Sequence, residues 1–153
     1  MTLNEFIEKI IKVAERDRKL YKELRLGQAV FNVVDKYIGV ARKVQFDYGI
    51  DCFYNDSYIN EFLTKCWEIE PVLHNAENID FSPHCLAETI PYMMTNDWKM
   101  RLLAEFFQLK LRYNALKFTK FKQDELVQMQ LTCMEEYAEI LEKRIKQENI
   151  EIF

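Results

Sequence analysis

Two apolar repeats of the same step, joined by a short polar turn, constrain this chain more than any other feature. From Trp98 onward, Leu102, Phe106, Leu109, Tyr113 and Leu116 recur at intervals of four and three, which aligns side chains along one face of a helix. Leu103 and Phe107 widen that face. Val127, Leu131, Met134, Ala138, Leu141 and Ile145 repeat the step, with Leu126, Cys133, Tyr137 and Ile140 on the flank. The residues between, Thr119 to Gln123, are too few to carry the chain far, so an antiparallel helical hairpin is expected. Each arm would be about 30 Å long or more at the helical rise per residue.

Charge supports the pairing. Residues 98–122 carry seven Lys or Arg against one acid, Glu105, whereas residues 123–153 carry eight acids against Lys143, Arg144 and Lys146. A basic arm beside an acidic one favours this partner over like-charged alternatives. Glu139 with Lys143 and Glu142 with Lys146 add four-apart pairs, each worth only about 0.3 kcal/mol.

The other residues also read as helical. Only three Gly and three Pro interrupt 153 residues, and a chain 49% hydrophobic and 30% charged can bury a core. Thr2-Leu3-Asn4-Glu5 has the form of a capping box, so a helix starts near residue 3 with Phe6, Ile7, Ile10, Ile11 and Ala14 as its stripe. The charged run from Glu15 to Lys19 loosens that pattern. A second helix is expected from Leu26 through Val44, with Gly27 and Gly39 inside it. Asp47 to Asp56 reads as a loop turning at Gly49, and Asp56 as the N-cap of a third helix that Pro71 closes.

From Pro71 to Asp97 the texture changes. All three prolines and both histidines lie here, with no Lys or Arg, yet Val72, Leu73, Phe81, Leu86, Ile90 and Tyr92 are apolar. An ordered connector with a short helix is expected rather than a free tether. Thr95 or Asn96 would cap the first hairpin arm. The expected class is therefore all-α: a three-helix unit over residues 1–70, a connector over 71–97 and a long antiparallel hairpin over 98–153.

Chemistry is harder to find. His74, Asp80, His84 and Cys85 match no zinc-ligand spacing, and Cys85 beside His84 lacks a sign of an oxyanion hole. Asp47, Asp51, Asn55 and Asp56 make an acidic loop, but aromatic residues and Cys52 interrupt it and the EF-hand spacing is missing. Lys99, Arg101, Lys110 and Arg112, close to Trp98 and Tyr113, form the strongest candidate anion surface, against which stands the simpler reading of a solvated charged face. Met129, Phe118 and Phe121 lie near the hairpin seam or its turn and suggest an exposed protein-binding patch. No catalytic residue, metal or cofactor is assigned, and the expectation is a protein that is not an enzyme.

The scattered cysteines 52, 66, 85 and 133 fit reduced thiols, and no run reaches the length of a membrane span. A cytoplasmic protein with no membrane partner is expected. The net charge of −4 offers no general pull toward nucleic acid, so direct nucleic-acid binding is not expected.

Two stretches carry a resemblance. Arg101, Glu105, Phe106, Leu109, Arg112 and Leu116, followed by Gln130, Met134, Tyr137, Leu141, Arg144 and Ile145, resemble the hairpin of small helical proteins of phage and prophage genomes, including the crAss-like phages of gut bacteria. Arg25-Leu26-Gly27-Gln28-Ala29, with Asp51-Cys52-Phe53-Tyr54-Asn55-Asp56 and then Ile59, Phe62 and Leu63, is similar to a small helical module of bacterial and phage proteins whose loop reads Asp-Pro-Phe-Tyr. Cys52 stands here in place of that Pro.

The resemblance implies a phage or prophage accessory protein acting in the cytoplasm of a bacterial host. The leading expectation is a non-catalytic binder of a host protein, such as a nucleic-acid-binding defence effector, in the manner of anti-CRISPR proteins. Its acidic surfaces would be Asp47, Asp51 and Asp56 or Glu135, Glu136, Glu139 and Glu142. Two alternatives stand beside it. One is a sponge for a cyclic or nucleotide-derived immune signal, held by Lys99, Arg101, Lys110 and Arg112 of an oligomer. The other is a structural protein whose hairpin seam continues into a homodimer.

Overall fold

Thr2 opens the first helix as its sequence requires. In the computed structural model, which describes residues 1–75 and 79–152, the Thr2 hydroxyl accepts from the Glu5 amide at 3.3 Å and the Glu5 carboxylate accepts from the Thr2 amide at 2.6 Å. The chain is all-helical, without a strand among the described residues. It divides into two units, Met1–Phe81 and Ser82–Ile152. The Pro-containing stretch is thus shared between them, and its residues 76–78, like residue 153 of the hairpin segment, lie outside the described residues.

The first unit holds α1 (Leu3–Leu20), α2 (Leu26–Tyr37), α3 (Ala41–Tyr48) and α4 (Ile59–Ile69). The charged run does not end α1, which continues through it to Leu20. Arg16 is the reason it can. Its side chain is buried, with Nη2 donating to the Phe81 carbonyl at 3.2 Å and to Asp17 at 3.2 Å, so a charge that breaks the apolar pattern is satisfied inside. Phe6, Ile10, Val13, Val30, Val34, Phe62 and Leu63 are fully buried in one cluster. Each large side chain there contributes about 2 kcal/mol through the apolar surface removed from water.

The single helix expected from Leu26 to Val44 is two. Gly39 takes φ +84°, and its amide and that of Ile38 both donate to the Val34 carbonyl, which ends α2 before α3 begins at Ala41. Gly49, at φ +70°, ends α3 in the same left-handed conformation.

The second unit holds a 3-10 turn (Leu86–Thr89), α5 (Ile90–Met93), α6 (Trp98–Lys117) and α7 (Glu125–Gln147). The short helix expected in the connector is α5. Asp97, rather than Thr95 or Asn96, caps α6 by accepting from the Lys99 amide at 2.9 Å. Asp124 caps α7, accepting from the amides of Leu126 at 2.9 Å and Val127 at 3.2 Å. The arms are antiparallel: Lys99 at the start of α6 donates to the Glu148 carbonyl past the end of α7 at 3.0 Å, whereas Tyr113, further along α6, donates to Glu135 at 3.4 Å. Burial is uneven along the pair. Leu102, Leu103, Phe106, Phe107, Leu141 and Ile145 are buried, but Leu109, Tyr113, Leu116, Val127, Leu131 and Met134 toward the turn are only half-buried.

Candidate ligand groove

The half-buried end of the hairpin carries a groove of about 680 Å³ between α6 and α7. Leu109, Ala115, Leu116 and Met134 supply its apolar lining. Around them stand Glu105, Gln108 and Arg112 from α6, Thr119 from the turn that follows it, and Gln130 and Tyr137 from α7. Four-residue and three-residue steps put the α6 groups on one side of that helix, next to the seam rather than within it.

Gln108, Tyr137 and Thr119, whose hydroxyl donates to the Leu116 carbonyl at 3.0 Å, are held by neighbours. Gln108 Nε2 donates to Thr89 Oγ1 at 2.8 Å and meets the Met93 sulfur at 2.7 Å, so the turn before α5 and α5 itself fix its amide. The Tyr137 hydroxyl donates to Glu105 across the groove. That hydrogen bond first, and burial second, push the Tyr137 hydroxyl above the ordinary tyrosine range. Arg112 is exposed and has no ion-pair partner among the described residues. A mixed apolar and polar groove of this size, with one fixed amide and one available cation, has the chemistry to contact a small anionic molecule.

Of the four basic residues expected as an anion site, Arg112 alone lines this groove. Lys99 is committed to the Glu148 carbonyl, Arg101 Nη1 donates to the Thr95 carbonyl at 3.2 Å, and Lys110 lies 5.2 Å over the Phe106 ring. Within one chain, therefore, only Arg112 of the four faces the groove.

The acidic candidates separate likewise. Asp51 accepts from Gln45 Nε2 at 3.0 Å and from the Tyr54 amide at 3.3 Å. Asp56 accepts from the Gly27 amide at 3.2 Å and is not the cap of α4; Asn55 caps the 3-10 turn (Asp56–Tyr58) that leads into it. Asp47 is exposed on α3. On α7, Glu136 and Glu139 are exposed, Glu135 accepts from Tyr113, and Glu142 pairs with Lys146 at 2.8 Å. The Lys146 ammonium holds the Glu142 carboxyl below the usual carboxylate range.

The acidic loop belongs to a local lock. Arg25 Nη1 and Nη2 donate to the carbonyls of Tyr54 and Phe53 at 3.0 and 2.6 Å, and the Cys52 thiol approaches the Gly27 carbonyl at 3.6 Å. A Cβ on Gly27 would lie 2.0 Å from the Cys52 carbonyl oxygen. The two parts of the second resemblance, residues 25–29 and 51–56, thus meet. His74 stacks on Trp67 with ring centroids 4.4 Å apart, and among the described residues no three His, Cys, Asp or Glu side chains gather as metal ligands.

Composition and charge counts passed over Gln108, Gln130 and Tyr137. The hairpin resemblance contained the signal: Glu105, Leu109, Arg112, Leu116, Gln130, Met134 and Tyr137 all belong to it, and all line the groove. No described helix is long and apolar enough to cross a membrane. No curated protein and no solved structure matches the chain. The family model described as Sequestin matches residues 96–147, about a third of the chain, and that span contains both arms of the hairpin and every residue of the groove.

Proposed function

We propose that this chain is a non-catalytic phage or prophage protein that sequesters a nucleotide-derived immune signal in the α6–α7 groove. The observation that carries the reading is the coincidence of three things on one stretch: the groove, the residues of the phage-hairpin resemblance, and the span matched by the Sequestin family, whose name points to sequestration. The groove offers what such a ligand needs. Arg112 supplies a cation for phosphate, Gln108 and Gln130 supply amides for base or sugar edges, and Tyr137 with the apolar lining supplies a surface for a flat ring. The Glu105 carboxylate is engaged by the Tyr137 hydroxyl, so the pair bridges the two arms at the groove.

Binding of a ligand to the folded chain raises its melting temperature. Thermal scans with cyclic mononucleotides, cyclic dinucleotides and nucleoside diphosphates test this. The expected result is a shift of several degrees with one class, absent in Arg112→Glu; no shift with any class at millimolar concentration counts against the reading.

A second reading is inhibition of a host protein through the acidic side of α7, favoured by the exposed carboxylates of Glu136 and Glu139. It expects salt-sensitive capture of one host protein that survives nuclease treatment and is lost on reversing both charges.

A further inference from the structure

Gln108 reaches the groove with its amide already oriented. Thr89 is fully buried, and its hydroxyl donates to the Leu86 carbonyl at 2.7 Å. A hydroxyl carries a single hydrogen, so the side of Thr89 Oγ1 that meets Gln108 can only accept. The Gln108 atom 2.8 Å away is therefore Nε2, because the flipped amide would set oxygen against oxygen. Nε2 also meets the Met93 sulfur at 2.7 Å. Neither Thr89 nor Met93 lines the groove. Both amide hydrogens are thus used outside it, and the carbonyl Oε1 is the polar atom that Gln108 has left for a ligand.

Glu105, three residues earlier on the same side of α6, adds a second acceptor. The Tyr137 hydroxyl donates to its Oε1, which leaves Oε2 for another donor. Arg112, four residues after Gln108, has the opposite character, since a guanidinium offers donors and a positive charge and accepts nothing. Along one wall of the groove α6 thus sets two neighbouring acceptors and then, about 6 Å further along its axis, a cation. The complement of that order is a ligand with two adjacent hydrogen-bond donors close to one anionic group. The 2′- and 3′-hydroxyls of an unmodified ribose are such donors, and the 5′-phosphate of the same nucleotide lies within the reach of that step. The donors of a base edge stand beyond the sugar, further from the phosphate.

We infer that this wall reads an intact ribose diol: Gln108 Oε1 and Glu105 Oε2 accept from the two sugar hydroxyls of a ribonucleoside 5′-phosphate whose phosphate rests on Arg112. Thr89 is the positioning residue, acting through the Gln108 amide. A carboxylate that takes a ribose hydroxyl also repels a phosphate at the same place. Ligands whose 3′ oxygen is closed into a phosphate ester, as in the cyclic mononucleotides and dinucleotides, therefore fit this wall less well than nucleoside diphosphates. The inference rests on the groove's holding a nucleotide and names the class of nucleotide it takes.

Calorimetric titration of the full chain tests it, with the 5′-diphosphates of adenosine, guanosine, cytidine and uridine, their 2′-deoxy counterparts, 3′,5′-cyclic AMP and cyclic di-AMP as probes. The expected result is that a ribonucleoside diphosphate binds about tenfold tighter than its 2′-deoxy counterpart and tighter than either cyclic ester. That ribo-to-deoxy ratio should fall toward one in Gln108→Leu and in Glu105→Ala. Thr89→Val should lower it as well, by releasing the Gln108 amide, and Thr89→Ser should keep it. Circular dichroism checks that each variant retains its helix content. Equal affinity for the two sugars, a preference that follows the base whatever the sugar, or a ratio unchanged in both Gln108→Leu and Glu105→Ala overturns the diol assignment and leaves the nucleotide reading standing. Binding of the cyclic esters alone does the same. No binding of any probe overturns both.

Discussion

The Tyr137 hydroxyl donates to the Glu105 carboxylate across the α6–α7 groove, joining the two arms where their seam is only half-buried. The contact requires Tyr137 to stay protonated, and its folded-state pKa is raised by that hydrogen bond and by burial. A raised value means that the contact's stabilisation is fully present below the ordinary tyrosine pKa of about 10 and is lost as pH climbs through the higher folded-state value. Ultraviolet titration of the phenols should show Tyr137 ionising late. In Glu105→Ala it should ionise at a lower pH than in the parent chain.

The approach of α2 to the 51–56 loop leaves no room for a side chain at Gly27. Gly27→Ala forces its methyl group against the Cys52 carbonyl and displaces the Asp56 carboxylate, at a cost of about 3 kcal/mol. Gly39→Ala meets no atom within 4 Å and costs only the left-handed backbone, about 1 kcal/mol. Urea midpoints of the two variants should fall in that order.

Burial pushes the thiols of Cys52 and Cys66 up to about 12. Alkylation at about pH 8 should therefore label Cys85 and Cys133, which are exposed, and spare the other two until the chain is unfolded. Raised thiol values also mean that stability from the first unit falls as pH rises from about 9 through about 12.

Asp124 accepts from two amides at the start of α7, so Asp124→Ala should cost about 1 kcal/mol and Asp124→Asn much less. Amide hydrogen exchange at Leu126 and Val127 reads this locally.

The hairpin was legible in the sequence because a three-and-four repeat has one structural meaning, and its turn was too short to allow another. The break at Gly39 was not legible. Val33, Val34, Tyr37, Ile38, Ala41 and Val44 continue a helical period across it, and only the packing of α2 and α3 makes two helices of it. Arg16 misled for a similar reason, since a buried charge looks like a loosened pattern until its partner at Phe81 is known. The groove was half legible. Most of its residues stood in the resemblance, but counting charges gave equal weight to Lys99, Arg101 and Lys110, whose side chains make other contacts, Lys99 across the hairpin and the other two locally.

Mass spectrometry of what the groove retains tests the central claim most directly. The full chain is incubated with a mixture of cyclic mononucleotides, cyclic dinucleotides and nucleoside diphosphates, freed of unbound molecules by gel filtration, and heated to release what it holds. The account expects one class of nucleotide, recovered chemically unchanged at near one per chain and lost in Arg112→Glu. An empty groove, a ligand released in altered form, or equal retention by Arg112→Glu would contradict it.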